Sequence, residues 1–109
     1  MDSVTLFELK TEDIRISIVA YFEKGTLVVD GYDIGRTVKE YWGDSDYEYL
    51  IKIPDAGVEF LYSHFSIWRG DQQSLLNELA RRFNTNTCYS DIQKLLDDHN
   101  IKYEGFTWA

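Results

Sequence analysis

Ile14-Arg15-Ile16-Ser17-Ile18-Val19-Ala20-Tyr21-Phe22 carries an apolar side chain at every even position, and Glu23-Lys24-Gly25-Thr26 then leads into Leu27-Val28-Val29. A period of two puts Ile14, Ile16, Ile18, Ala20 and Phe22 on one face of an extended chain. The four residues that follow have the length and glycine content of a hairpin turn, so Leu27-Val28-Val29 starts an antiparallel neighbour. Upstream, Ser3–Lys10 alternates Val4, Leu6 and Glu8 against Thr5, Phe7 and Leu9, which predicts a short first strand. Downstream, Asp46–Ile53 alternates again, with Tyr47, Tyr49, Ile51 and Ile53 on one side and Glu48, Leu50 and Lys52 on the other. Between these strands, Asp30-Gly31-Tyr32-Asp33-Ile34-Gly35 has two glycines and two aspartates and reads as a turn-rich connection. A helical turn over Thr37–Tyr41, stopped by Gly43, is expected after it.

The second half changes period. Pro54-Asp55 opens a helix expected to run to about Phe65. Asp71 is placed to cap a helix whose stripe is Leu75, Leu76, Leu79, Ala80 and Phe83, and Asn84-Thr85-Asn86-Thr87 breaks it. Ser90 with Gln93 has capping-box spacing ahead of Ile92, Leu95 and Leu96. Asn100 can end that helix, and Ile101-Lys102-Tyr103-Glu104 reads as a last strand. Strands, then helices, then a strand predict one α+β domain over residues 1–109, an antiparallel sheet of about four or five strands with helices packed on one face.

Composition narrows the function classes. The 109 residues are 44% hydrophobic and 16% aromatic, with net charge −8 and pI near 4.6. So acidic a chain repels nucleic acid and anionic membrane and attracts a basic partner. Residues 30–48 hold six acids against Arg36 and Lys39, a net −4 and half of the total. Cys88 is the one cysteine, which excludes an internal disulfide and a cysteine metal cage. The N-terminal residues show neither a basic stretch nor an apolar core of a signal peptide, and no apolar run reaches membrane-span length, so a cytoplasmic location is expected.

The chemistry concentrates in Tyr41-Trp42-Gly43-Asp44-Ser45-Asp46-Tyr47-Glu48-Tyr49-Leu50. On an extended chain Asp44, Asp46 and Glu48 share a face, with successive carboxylates within about 7 Å. That spacing suits oxygen ligands or an acid/base pair. A calcium loop, however, needs glycine at its sixth position and glutamate at its twelfth, and counting from Asp44 those are Tyr49 and Asp55. Trp42, beside Tyr41, Tyr47 and Tyr49, either covers the end of the sheet or anchors an interface. His64 and His99 belong to no metal-binding spacing and are read as structural. Cys88, followed by Asp91, is read as a buried spacer rather than a thiolate. Gly31 and Gly35 are too sparse for a phosphate cradle, and no serine sits in a nucleophile elbow. Glu78, four residues before Arg82, accounts for that arginine as a helix-surface ion pair. Arg69-Gly70-Asp71 spells an adhesion tripeptide for which chance suffices.

The run Leu27–Gly35, continuing to Trp42-Gly43-Asp44-Ser45-Asp46-Tyr47-Glu48-Tyr49, resembles a pattern in small, acidic, uncharacterised bacterial proteins. In size, pI, aromatic content and element order the chain is similar to immunity proteins that neutralise bacterial toxins. That likeness of type implies a small cytosolic domain whose acidic, aromatic surface plugs a basic active site, and transfers no residue roles. The expected function is therefore a non-enzymatic, protein-binding immunity or inhibitor protein with a basic protein partner, without cofactor, metal, nucleic acid or membrane. Tyr32, Asp33, Trp42, Asp44, Asp46, Tyr47, Glu48 and Tyr49 are its expected partner-binding residues. A carboxylate-based metal-dependent hydrolase and a homodimeric structural domain are the rival classes.

Overall fold

The computed structural model of the chain describes residues 3–35 and 46–108. Its sheet has five strands, β1 Ser3–Lys10, β2 Ile14–Glu23, β3 Thr26–Gly35, β4 Asp46–Ile53 and β5 Glu104–Trp108. They lie in sequence order, each antiparallel to its neighbour. Between β4 and β5 come α1 Asp55–His64, α2 Gln72–Arg82 and α3 Cys88–Asp98. The architecture is the expected α+β sheet with helices on one face. The expected helical turn at Thr37–Tyr41 lies outside the described residues.

One hydrophobic core joins the layers. Ile18, Ala20 and Phe22 of β2, Leu27 and Val29 of β3, and Ile51 and Ile53 of β4 meet Leu61, Leu75, Leu76, Leu79, Ile92 and Leu96 of the helices. Direct cross-strand pairs share a face, and Ala20↔Val29 and Val29↔Ile51 align those side chains across three strands. The β2–β3 hairpin closes through Lys24 and Gly25, both left-handed at φ 51° and 83°, as a two-residue type I′ turn requires.

Three expectations are corrected by tertiary packing. β1 does not alternate strictly, because its register shifts between Thr5 and Phe7. Leu6 is the extra residue of a bulge, and it is buried while Val4 and Phe7 pack against the same core. Bulging turns neighbouring residues to one side and gives this edge strand a fuller apolar face. The third strand does not stop at Val29 but continues to Gly35. Gly31 stays in the sheet because a Cβ there would lie 2.0 Å from Cε2 of Tyr49, so the tyrosine ring fills the space that a side chain would occupy. Finally, β5 spans Glu104–Trp108 rather than Ile101–Glu104. Ile101 serves as a helix stop instead: its N–H donates to Leu96 O at 2.9 Å and that of Asn100 to Asp97 O at 3.1 Å. With Asn100 at φ 57°, these bonds form a Schellman cap.

Helix starts follow the sequence in part. The Asp71 side chain accepts from Ser74 N at 3.2 Å and caps α2. The capping box at Ser90 is not used, because α3 begins at Cys88 and places Ser90 inside its first turn. Thr87 Oγ1 donates to Asp91 Oδ2 at 2.9 Å across that turn. No helix among the described residues is long and apolar enough to cross a membrane.

Candidate functional site

Register divides the acidic-aromatic residues between two faces of the sheet. Gly31↔Tyr49 and Asp33↔Tyr47 continue the helix-side rows, whereas Tyr32↔Glu48 and Asp30↔Leu50 belong to the far face, away from α1–α3. Of the expected binding residues, Asp33, Tyr47 and Tyr49 are thus on the helix side, and Tyr32 and Glu48 on the far side. Asp46 pairs with Ile34 where β4 begins. Trp42 and Asp44 lie outside the described residues.

On the helix side the polar groups satisfy one another. Tyr49 Oη donates to Asp33 Oδ1 at 3.0 Å, and the Tyr49 ring meets Tyr89 edge-on at 4.7 Å and Tyr47 at 5.6 Å. Burial raises the Asp33 carboxyl, and the Tyr49 hydroxyl partly offsets that rise by donating to the charged form. Burial and then the Asp33 charge push the Tyr49 phenol up. Tyr89 rises to about 12, mainly by burial. Cys88 beneath them is buried with its thiol pushed up to about 11, desolvation leading and Asp91 adding to it, as expected of a spacer. Asp33 and Tyr49 therefore act as a half-buried strap between β3 and β4.

The far face is arranged differently. Asp30 and Glu48 are diagonal neighbours on it, one register step apart. Oδ1 of Asp30 is shut off from solvent, with no hydrogen-bond partner among the described residues. Desolvation first, then the Glu48 charge and a hydrogen bond with the Glu48 side chain, raise the Asp30 carboxyl to about 6. Tyr21 of the adjacent strand is raised by burial and by the Asp30, Glu23 and Glu48 charges in turn. Among the described residues no lysine or arginine forms an ion pair with Asp30 or Glu48. Lys52, further along β4, lies 5.7 Å over the Phe106 ring instead. Apolar surface surrounds the pair, with Tyr32 and Ile34 each 37% exposed and Phe106 40% exposed.

Asp30, Tyr21 and Phe106 are thus absent from the expected set yet sit with Tyr32 and Glu48. Recovering them from sequence needs the ten-residue extent of β3, since continuing the strand puts Asp30 and Tyr32 on the face opposite Gly31 and Asp33. Trp68, between α1 and α2, is 87% exposed and carries no local pattern that marks it. Elsewhere on the surface, Glu78 holds both Arg81 and Arg82, Arg82 also lies 4.9 Å over Phe65, and Arg69 pairs with Glu59. Among the described residues, no group of three or more His, Cys, Asp or Glu side chains could hold a metal ion. No protein-family model, curated protein or solved structure matches the chain.

Proposed function

We propose that the far face of the sheet, centred on Asp30 and Glu48, docks a basic protein, and that the chain is a non-enzymatic immunity or inhibitor protein. The observation that supports this reading is the Asp30 carboxyl, one oxygen of which is removed from water and has no hydrogen-bond partner among the described residues, beside the Glu48 carboxyl. A folded chain gains nothing from such a pair alone. A lysine or arginine delivered by a partner to the accessible oxygens of the pair would relieve the repulsion. Tyr32, Ile34 and Phe106 form the apolar surround that excludes water from such a contact. Net charge −8 steers a cationic partner inward and raises the association rate. A bacterial toxin with a basic active site is the partner class that fits this chemistry and the acidic, aromatic character of the chain.

Affinity capture of basic proteins from the source cell at low salt, followed by binding kinetics on the captured protein, tests the proposal. Glu48→Gln is expected to slow association and flatten its salt dependence, and Tyr32→Ala mainly to speed dissociation. A captured protein that binds the Asp30→Asn/Glu48→Gln double variant as fast and as tightly as the wild type would remove the far face from its interface.

A further inference from the structure

His64 and His99 lie 35 residues apart in sequence and belong to no recognisable motif, yet their ring centres are 5.3 Å apart with planes at 66°. His64 is the last residue of α1 and His99 caps the C-terminus of α3. We infer that these two imidazoles form a clip for one divalent transition-metal ion.

Four features of the pair support this. The first is spacing: two imidazoles on one tetrahedral ion, with M–N bonds of about 2.1 Å, place their ring centres roughly 5 Å apart. The second is the tautomer. His99 Nδ1 lies 3.0 Å from the carbonyl oxygen of Leu95, and a carbonyl only accepts, so Nδ1 carries the proton. In the neutral ring Nε2 then keeps its lone pair, the arrangement found where a backbone carbonyl orients a metal-binding histidine. The third is orientation by packing. Phe60 stacks on His64 at 5.2 Å and contacts His99 at 4.8 Å, while Phe65 meets His64 edge-on at 4.9 Å. The fourth is electrostatic: two helix C-termini converge here, and their partial negative charge favours a cation. Both histidines are exposed, so an ion reaches them without opening the fold.

Among the described residues no third ligand joins the two rings, so water completes the coordination. Imidazole ligands select Zn, Cu and Ni over Mg and Ca, and Cu(II) binds tightest in the divalent series.

Calorimetric titration of the intact chain with Cu(II), Ni(II) and Zn(II) tests the site, together with NMR of the histidine rings during Zn(II) addition. The expected result is one ion per chain, tightest for Cu(II), with both histidine rings shifting at the same stoichiometry. His64→Phe and His99→Phe keep a flat ring against Phe60, and each is expected to weaken binding at least about tenfold by removing one of two linked contacts. The ring shifts are read on the wild-type chain and stand even if a variant fails to fold. Absence of saturable binding at millimolar ion, a shift confined to one ring, or affinity unchanged in both phenylalanine variants would each overturn the clip and leave the pair as aromatic packing.

Discussion

Replacing Asp30 with Asn exposes the far-face carboxylate to a stability measurement whose sign is unusual. The carboxyl rises from its ordinary 3.8 to about 6 in the folded chain, so the native state binds the proton more tightly than the unfolded state. Well below pH 4 both states are protonated and the aspartate carries no penalty. As pH rises from about 4 to 6 the unfolded chain releases its proton first, so stability falls across that window and the deficit persists above it. Two pKa units at about 1.4 kcal/mol each set an upper bound of roughly 3 kcal/mol. The side chain is partly open to solvent, and screening reduces this to on the order of 1 kcal/mol.

Asparagine has the same shape, never ionises, and can donate its amide N–H to Glu48. Asp30→Asn is therefore expected to be about 1 kcal/mol more stable than the wild type at pH 7.5 and nearly equal to it at pH 4. Urea unfolding at both pH values measures this as a change in midpoint at constant slope, and about 1 kcal/mol corresponds to roughly 4–8 °C in melting temperature for a domain near this size. A variant less stable than wild type at pH 7.5, or equally stabilised at both pH values, would show that Asp30 is not held in a repulsive, desolvated setting. The docking proposal adds a second expectation: the stabilised variant binds the basic partner more weakly.

Gly31→Ala is expected to destabilise by about 1–3 kcal/mol, because the new methyl meets the Tyr49 ring at 2.0 Å and has to displace it; urea unfolding reads the loss, and an unchanged midpoint would mean the ring is free to leave. Asp71→Ala removes the α2 cap and is expected to lower stability by about 1 kcal/mol, seen in the same assay. Cys88, buried and with its thiol raised to about 11, is expected to resist a thiol reagent at pH 8 in the folded chain and react in urea; fast modification of the native protein would contradict its burial.

Much of the fold is legible locally. β2, the hairpin at Lys24-Gly25, β4 and the apolar stripe of α2 follow from periodicity and turn chemistry within a few residues. What escapes a local reading depends on distant partners. Gly31 looks like punctuation until Tyr49, eighteen residues later, is laid across the strand. Ile101 looks like the start of a strand because it is apolar and follows Asn100, whereas its N–H closes the α3 cap. The bulge at Leu6 leaves no composition signal, since it reflects the shape of the core above β1. The His64–His99 contact likewise arises from two helix ends that meet only after the helices pack.

The candidate site shows the same dependence more sharply, through two aspartates of one strand. Asp30 and Asp33 are three residues apart, an odd separation, so a continuous strand sends them to opposite faces. Asp33 on the helix side meets the Tyr49 hydroxyl and becomes a satisfied strap. Asp30 on the far side meets Glu48 and keeps an unpaired oxygen. A break in β3 after Val29 leaves the two indistinguishable, and both then read as turn residues. Continuity of the strand is what separates the carboxylate satisfied by Tyr49 from the one set beside Glu48. The docking proposal therefore rests on the Asp30–Glu48 pair, and the aromatic residues that share its face are Tyr32 and Phe106, whereas Tyr47 and Tyr49 lie on the helix side.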